Sequence, residues 1–402
     1  MTDTGAASAE IPTNAEVVAR AKALGPLIAG HAEQTDRERR VPDAVIDALA
    51  DAGLFKLGVP RRYGGYATGF ETYCDVTAAV GESCGSTAWV TALINVCNWC
   101  ISLFGDEARE EVFTGHPSPR VCGVLAPTSQ SRRVEGGLRV SGRWGYASGS
   151  PYAQWAMLGV PVVDDAGEQI DQGLALIPMA ELSIENTWFV AGMRGTASDT
   201  LVAEDVFVPD HRILSVPPAI GNVYPNPHTD EVMARSSFIP VLALILAGPQ
   251  VGMARGALNL AIEKAPRRAI AYTMYTAQTE SVAFQLQIAQ AAMLVETADL
   301  HVRSAARRID EAAAAAQPLD YLERAKIRAN TGYAITQAQR AIEIILSAAG
   351  ASSFADASPL QRLWRDSSTA ARHAVVLPEV NAEIYGKALL GVPYELNITP
   401  LI

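Results

Sequence analysis

The sequence predicts an α+β protein built from an N-terminal helical domain, a central antiparallel β-domain and a C-terminal four-helix bundle. Residues 15–119 and 226–402 place apolar residues at the three- and four-residue spacing of helices. Residues 120–225 alternate apolar and polar residues between glycine, proline and aspartate, which is typical of short antiparallel strands. Residues 1–14 are small and polar, so we expect them to form a disordered tail.

Composition and charge narrow the class of protein. The chain has 402 residues, of which 49% are hydrophobic and 19% are charged, which is enough apolar surface for a large core. Its net charge of −11 argues against a nucleic-acid partner, because phosphate binding needs a concentrated basic face. The longest apolar run, 238–251, is shorter than a membrane span and contains two prolines. We therefore expect a soluble protein with no membrane or nucleic-acid partner.

Five cysteines and an N-terminus without a leader pattern predict a cytoplasmic protein with free thiols. Cys97 and Cys100 form a C-x-x-C motif, but it lies in an apolar helical run and no second cysteine pair completes a zinc site. We interpret both as buried thiols. The six histidines show no spacing typical of metal ligands, so we expect no metal.

Glycine and proline predict where the elements begin and end. Residues 15–36 are predicted to form one long helix. A second helix begins at Pro42 and ends at Gly53, an order that suits the missing N–H of proline and the conformational freedom of glycine. In the β-domain, Gly-Gly at 136–137 and Asp-Ala-Gly at 165–167 predict hairpin turns.

A proline-rich connector at 215–235 precedes the bundle and is long enough to be a pocket-lining loop. The next long helix, ended by Pro318, carries an apolar seam in alternating steps of four and three residues, as in an antiparallel bundle. The seam consists of Phe284, Ile288, Ala291, Val295, Ala298, Val302, Ala305 and Ile309. A second long helix is predicted at 321–349 and stops at Gly350.

A lone histidine near the C-terminus is the main candidate for acid–base chemistry. His373 follows a cluster formed by Arg362, Trp364, Arg365 and Asp366. An imidazole titrates near neutral pH, so His373 is suited to accepting or donating a proton; the structural alternative is a histidine that hydrogen-bonds within the bundle. We interpret Arg365 and Asp366 as a structural ion pair.

Three motifs carry a resemblance to a known family. They are R-W-G-Y-A-S-G at 143–149, G-M-R-G-T-A-S followed by V-F-V-P at 192–209, and L-W-R-D at 363–366. With these motifs in this order, the chain from Ala15 to Gly391 resembles the acyl-CoA dehydrogenase superfamily. The resemblance implies an acyl-CoA dehydrogenase-like fold that holds a flavin.

One departure from that family changes the expected reaction. A common acyl-CoA dehydrogenase carries a catalytic carboxylate soon after the Arg-Asp of the last motif, whereas this chain continues S-S-T-A-A-R-H, which ends at His373. In this respect it is similar to the two-component flavin-dependent monooxygenases of the same fold. That resemblance implies an oxygenase component that takes FADH2 or FMNH2 from a separate NAD(P)H:flavin reductase. With O2, through a flavin C4a-hydroperoxide, it would hydroxylate a phenolic, polyketide or indole substrate of secondary metabolism.

The resemblance also assigns roles to individual residues. His373 would act as the acid–base group and Ser148 would lie near flavin N5. Further flavin-binding roles fall on Trp144, Gly149, Arg194, Thr196 and Ser198, and on Gln285 and Gly350 of a neighbouring subunit, which implies a homotetramer. A substrate pocket for a flat aromatic ligand would be lined by Trp99, Tyr146, Tyr224 and His373.

Three alternatives remain open at the level of sequence. An amino-sugar N-oxygenase would use the same flavin chemistry in a more polar pocket. An acyl-CoA dehydrogenase with a displaced base would retain tightly bound FAD, bleached by an acyl-CoA without oxygen. A catalytically inactive binding protein would show no oxygen-dependent turnover with any reductase.

Overall fold

The computed structural model describes residues 11–116 and 118–402. Residues 1–10, the greater part of the tail predicted to be disordered, lie outside the described residues. The N-terminal helices are α1 Asn14–Ala23, α2 Gly25–Glu38, α3 Asp43–Asp51, α4 Phe70–Gly81, α5 Gly85–Ser102 and α6 Asp106–Phe113. The later helices are α7 Val216–Ile220, α8 Phe238–Leu244, α9 Ala247–Lys264, α10 Val282–Ala314, α11 Tyr321–Ala349, α12 Pro359–Ala370 and α13 Pro378–Leu389.

The first predicted helix is two helices. α1 ends at Ala23 and α2 begins at Gly25, with Leu24 as the junction. Pro26 explains the break, because it has no N–H to continue the hydrogen bonds of the preceding helix and instead fits the first turn of a new one. The prediction of a single helix over 15–36 is therefore wrong.

The β-domain contains two four-stranded sheets. One has the strand order β1-β4-β5-β8 and the other the order β2-β3-β7-β6. The strands are β1 Val121–Val124, β2 Ser129–Val134, β3 Gly137–Trp144, β4 Trp155–Val163, β5 Gln169–Pro178, β6 Ser183–Glu185, β7 Thr200–Pro209 and β8 Ile213–Ser215. Apolar side chains of the two sheets meet in a common core around Trp144 and Leu158.

One strand pair contradicts the prediction of a purely antiparallel β-domain. β1 pairs with β4 in parallel, with Val121 opposite Trp155. Between these strands the chain forms the β2–β3 hairpin in the other sheet and then returns in the direction of β1. Parallel pairing needs such a long crossover, and a sequence pattern of alternating residues does not reveal it. The remaining strand pairs are antiparallel.

The helical bundle agrees closely with its sequence pattern. α11 spans the predicted residues and packs against α9, α10 and α13. The α10 seam is buried at Phe284, Ala291, Val295, Ala298, Val302, Ala305 and Ile309, while Ile288 is partly buried. The apolar stretch Phe238–Arg267 is long enough to cross a membrane, but 89% of its most apolar window is buried within the protein. It is the core of the bundle.

All five cysteines are free and buried. Burial raises the pKa of the Cys97 and Cys100 thiols above the ordinary range. Both are therefore neutral, inert thiols within α5, as their apolar context predicted.

Candidate functional site

A row of hydroxyl groups lies where two turns of the β-domain meet. Ser148 follows β3, and its Oγ lies 2.7 Å from the Oγ of Ser198, just before β7. Ser198 Oγ in turn lies 2.6 Å from Thr196 Oγ1. The three residues are at most 5% exposed. Such a row of polar side chains is unusual inside an apolar domain, and its members hydrogen-bond to one another.

The backbone of both turns adopts conformations that are rare for residues with side chains. Tyr146 has a φ of 65°, Met193 of 57° and Ala197 of 45°. Gly149, with a φ of 76°, donates its N–H to the carbonyl of Thr196 at 2.9 Å and so joins the two turns. Such strained residues cluster at functional sites and persist because the surrounding structure holds them.

Trp89 connects the hydroxyl row to His373. Its Nε1 donates to Ser148 Oγ at 3.2 Å, and its ring centroid lies 5.9 Å from that of His373. Trp89 is in α5, whereas His373 follows α12, so a single side chain joins three parts of the fold. Sequence reasoning missed Trp89, because a tryptophan in an apolar helical run is usually part of the core.

His373 stands at the start of a short 3-10 turn and is exposed to solvent. Protein atoms nevertheless surround it on several sides, and this desolvation lowers the pKa of the imidazole below its ordinary value. Nδ1 accepts the N–H of Val375 at 3.4 Å, which favours the tautomer with the proton on Nε2. Because this contact is long, it disfavours the other tautomer only weakly. In that tautomer Nε2 carries no hydrogen and can accept a proton.

Asp366 fixes the position of the turn that carries Thr196 and Ser198. Its carboxylate is 2% exposed and accepts the backbone N–H of Met193 at 2.6 Å. The hydroxyl of Ser86 lies 3.5 Å from the other oxygen. Burial raises the pKa of Asp366 to about 6.

The predicted ion pair between Arg365 and Asp366 is wrong. Arg365 pairs instead with Asp36 of α2, at 3.0 Å between Nη2 and Oδ2. Consecutive residues of a helix point about 100° apart, so Arg365 and Asp366 reach different neighbours. Both link α12 to other segments, Arg365 to α2 and Asp366 to the Met193 turn.

Two tryptophans predicted to contact ligands are completely buried. Trp144 is 0% exposed and donates Nε1 to the carbonyl of Gly159 at 2.8 Å, inside the β-domain core. Trp99 is also 0% exposed; it packs edge-on against Phe70 and donates to the carbonyl of Met233 at 3.0 Å. Neither side chain has surface left for a ligand, so the predicted flavin wall at Trp144 and the predicted pocket role of Trp99 are wrong.

Tyr224 lies at the same end of α5 as Trp99. Its hydroxyl donates to the carbonyl of Ser236 at 2.8 Å, and the connector that carries it packs against Ser102 through Asn226. Trp99 is ten residues after Trp89, which corresponds to about 15 Å along the helix. The structure therefore does not bring Tyr224 to the region between Ser148 and His373 beside Trp89, which we call the cleft.

Tyr146 lies at the rim of that cleft. It is 75% exposed, and its ring meets Trp188 edge-on at a centroid distance of 5.7 Å. Trp188 donates Nε1 to the carbonyl of Met193 at 2.8 Å, so the aromatic pair is anchored to the same strained turn. The predicted contact of Tyr146 with a substrate stays a prediction.

The remaining predicted flavin-binding residues fall into two groups. Arg194 lies beside the hydroxyl row, and its Nε is buried without a hydrogen-bond partner, 3.8 Å from Asp36 Oδ1. Gln285 and Gly350 lie at ends of α10 and α11; Gln285 donates to the carbonyl of Thr279 at 2.8 Å. Since the resemblance places them on a neighbouring subunit, a single chain leaves their role a prediction.

The residues present fit a flavin ring system. Ser148 offers a hydroxyl, Trp89 a largely buried indole beside it, and His373 an exposed imidazole. The unpartnered Nε of Arg194 is a donor available to an acceptor atom of a ligand. A flat heteroaromatic ring with hydrogen-bonding edges satisfies these groups.

Comparison with known families agrees with this geometry. Residues 19–114 match the sequence model of the acyl-CoA dehydrogenase N-terminal domain, and residues 244–378 match that of the C-terminal domain. The matched segments contain Trp89 and His373 respectively. The predicted fold, with helices before and after a central β-domain, is confirmed by these matches and by the solved structures that the chain resembles.

Individual relatives are similar over nearly their whole length. The oxygenase subunit HsaA of a flavin-dependent monooxygenase from Mycobacterium tuberculosis is 33% identical over 385 residues, covering 94% of this chain and 96% of its own. The oxygenase component of an FADH2-dependent resorcinol hydroxylase from Rhizobium sp. is 29% identical over 393 residues, covering 96% of both chains. The structure of XiaF from Streptomyces sp. with FADH2 and glycerol has a TM-score of 0.90 and 35% identity, covering 98% of both chains.

Asp366 generates a prediction about stability and pH. Its carboxyl has a pKa of about 6 in the folded protein against 3.8 ordinarily, so its contribution to folding is present below pH 3.8 and is lost as the pH rises to about 6. Asp366→Asn keeps an acceptor for the Met193 N–H and removes the charge. We expect the melting temperature of the variant, relative to wild type, to increase as the pH rises from 4 to 7.

Asp310 provides the comparison for that experiment. Burial raises its pKa to about 6 as well, but its two oxygens accept the N–H groups of Phe70 and Glu71 at 2.8 and 3.2 Å. Asparagine has a single acceptor oxygen, so Asp310→Asn should lower the melting temperature even at pH 7. A difference in melting temperature between Asp366→Asn and wild type that stays constant from pH 4 to pH 7 would contradict the raised pKa of Asp366.

Proposed function

The chain belongs to the acyl-CoA dehydrogenase family, in its branch of flavin-dependent monooxygenase oxygenase subunits, and from this premise we propose that it hydroxylates an aromatic substrate with reduced flavin and O2. The observation that carries the proposal is the placement of His373 beside Trp89 and Ser148. The proposed substrate class is phenolic, polyketide or indole, as the named relatives that act on resorcinol and on p-hydroxyphenylacetate suggest.

The distribution of acid groups favours oxygenation over dehydrogenation. Removal of a proton next to an acyl thioester carbonyl needs a carboxylate base aimed at the substrate. Among the described residues that surround the hydroxyl row, the carboxylate of Asp366 is buried and turned toward the Met193 N–H. The carboxylate of Asp199, next to Ser198, likewise accepts backbone N–H groups, those of Thr187 and Trp188. The imidazole of His373 is exposed to solvent and lies 5.9 Å from the ring of Trp89. The cleft thus offers an imidazole in place of a carboxylate.

His373 suits the proton transfer that ring hydroxylation requires. A bound reduced flavin supplies the activation of O2 and the transfer of one oxygen atom to an electron-rich carbon. Because its pKa is lowered by desolvation, His373 is neutral near pH 7 and can accept the hydroxyl proton of a phenol at the ring nitrogen that carries no hydrogen. A phenolate ring carries more electron density than a phenol and reacts more readily with an electrophilic oxygen.

The other residues of the cleft would bind the flavin and keep water out. Ser148 would hold the flavin edge, while Ser198 and Thr196 would position Ser148 from behind and Gly149 keeps the two turns together. Trp89 closes the wall between Ser148 and His373. Exclusion of water matters because it protects a reactive oxygen species from side reactions.

A separate reductase and a cytoplasmic location complete the proposal. The sequence contains no G-x-G-x-x-G motif for a nicotinamide dinucleotide, so a second protein with NAD(P)H would supply the reduced flavin. The name "oxygenase subunit" of the M. tuberculosis relative supports such a division of labour. Five free, buried thiols suit a reducing cytoplasm.

We propose that the hydroxylation catalysed by this chain belongs to secondary metabolism.

Replacing His373 tests this function. We expect His373→Ala to lower hydroxylation by about 10²–10⁴-fold, the usual effect of removing a general base. The assay supplies a generic flavin reductase and NADH and follows ¹⁸O from ¹⁸O2 into phenols, indoles and amino sugars. In wild type the rate should fall as the pH drops through a value below 6.5, because a protonated imidazole cannot accept a proton.

His301→Ala is the matched control for that experiment. His301 lies in α10, 3.1 Å from Asn330 Oδ1, and its ring packs against Tyr333. Its replacement should leave the rate and the pH profile unchanged. Equal product formation by His373→Ala and wild type would remove the proposed role of His373.

The surface of α10 supports the proposed homotetramer. Its outward face carries a row of apolar side chains, each 60–66% exposed: Val282, Leu286, Met293 and Leu300. They follow one another at steps of four and seven residues, so they form a continuous strip that costs free energy in water. We infer that a second copy of the chain covers this strip. Gln285, assigned by resemblance to a neighbour's flavin, lies beside it.

A charge on the α10 strip tests the assembly. We expect Leu286→Glu combined with Met293→Glu to lower the mass measured by light scattering, because a partner would bury two unpaired charges. Ile170→Glu is the control, since Ile170 in β5 is as exposed as Leu286, at 66%. An unchanged mass for the double variant would contradict the role of α10.

A further inference from the structure

Four hydrogen bonds arrange the cleft hydroxyls in a single line. Trp89 Nε1 contacts Ser148 Oγ at 3.2 Å, Ser148 contacts Ser198 at 2.7 Å, and Ser198 contacts Thr196 at 2.6 Å. Thr196 Oγ1 then contacts the carbonyl oxygen of Met193 at 2.9 Å. We call these five groups the hydroxyl line.

The two ends of the hydroxyl line fix the direction of every hydrogen in it. The indole N–H of Trp89 only donates and the carbonyl of Met193 only accepts, while each hydroxyl has one hydrogen to give. All four contacts contain a hydrogen only if Ser148 donates to Ser198, Ser198 to Thr196, and Thr196 to Met193.

The opposite direction leaves one contact without a hydrogen. Thr196 would donate to Ser198 and Ser198 to Ser148, so Thr196 Oγ1 and Met193 O would face each other at 2.9 Å with no hydrogen between them. Two such oxygens repel, even though the same carbonyl also accepts Nε1 of Trp188 at 2.8 Å. In that arrangement the Ser148 hydrogen would point into the cleft.

We propose that the hydroxyl line turns Ser148 into a hydrogen-bond acceptor toward the cleft and thereby makes the site select reduced over oxidised flavin. The inference rests on the proposed function, with the flavin N5 edge at Ser148. N5 carries a hydrogen in reduced flavin and a bare lone pair in oxidised flavin. Ser148 can accept from the first without any change, whereas it can donate to the second only if one contact of the hydroxyl line loses its hydrogen. That contact is Ser148–Ser198 if Ser148 alone turns, or Thr196–Met193 if the line reverses.

This selectivity gives Ser198 and Thr196 a defined role. Neither needs to touch the flavin, and Thr196 at 0% exposed cannot. They are positioning residues that hold the hydrogen of Ser148 inside the protein. An enzyme supplied by a separate reductase benefits, because oxidised flavin in the surroundings competes less well for the site.

The ratio of two dissociation constants tests the proposal. FAD and FMN would be titrated anaerobically, oxidised and then dithionite-reduced, into wild type and Ser198→Ala. Removing Ser198 frees the Ser148 hydrogen for an acceptor in the cleft. One net hydrogen bond corresponds to a change of about fivefold, so the oxidised-to-reduced ratio of dissociation constants should fall by about that factor. The midpoint potential of bound flavin should fall with this ratio, by ~20 mV relative to wild type.

Two further variants make the result specific. Thr196→Val removes the acceptor for Ser198 and should shift the ratio in the same direction, which also covers the case in which Ser198→Ala does not fold. Ser150→Ala is the control: Ser150 is buried, donates to the carbonyl of Ala197 at 3.4 Å, and lies outside the hydroxyl line. Its ratio should equal that of wild type.

The outcomes separate this inference from the proposed function. Wild type that binds flavin, with a ratio unchanged in Ser198→Ala and Thr196→Val, would overturn the inference alone. An equal shift in Ser150→Ala would also overturn it, because the effect would then be general. Wild type that binds neither form saturably would overturn both.

Discussion

The buried hydrogen bond between Asp366 and the backbone of Met193 determines how the cleft is assembled. Asp366 lies on α12, seven residues before His373, and Met193 opens the strained turn that carries Thr196 and Ser198. One 2.6 Å contact therefore sets the distance between the histidine side and the hydroxyl side of the cleft. Burying a carboxylate is costly, and its raised pKa records that cost. The Arg365–Asp36 pair holds the same helix to α2.

Once the two sides of the cleft are held at this distance, the chemistry depends on which groups face the cleft. The carboxylate of Asp366 is used to hold the turn, and the imidazole of His373, with a lowered pKa, is exposed to solvent. On the proposed function, a fold shared with dehydrogenases would thus present a neutral base and a row of hydroxyls to a flavin. The same fold supports either reaction because function depends on the site and not on the architecture.

The sequence predicted well where periodicity or an ordered motif carried the information. The seam of α10 and the bounds of α11 follow directly from helical spacing. The position after the Arg-Asp motif selected His373, which the structure places beside Trp89, while its chemical role stays a prediction. Spacing carries no information about which side of a domain an aromatic residue faces, so Trp144 and Trp99 were assigned to ligands although both are core. For the same reason Trp89, which joins Ser148 to His373, was missed. The β1–β4 parallel pair and the Asp366–Met193 bond link residues far apart in the chain, and no local pattern reports such contacts.

An anaerobic crystal structure of the chain with reduced FAD or FMN tests the central claim most directly. The account predicts that the isoalloxazine ring lies between Ser148 and His373, with N5 within hydrogen-bond distance of Ser148 Oγ and Trp89 still donating to that oxygen. A flavin bound elsewhere, or a carboxylate in place of His373 pointing at the substrate side of the ring, would contradict it.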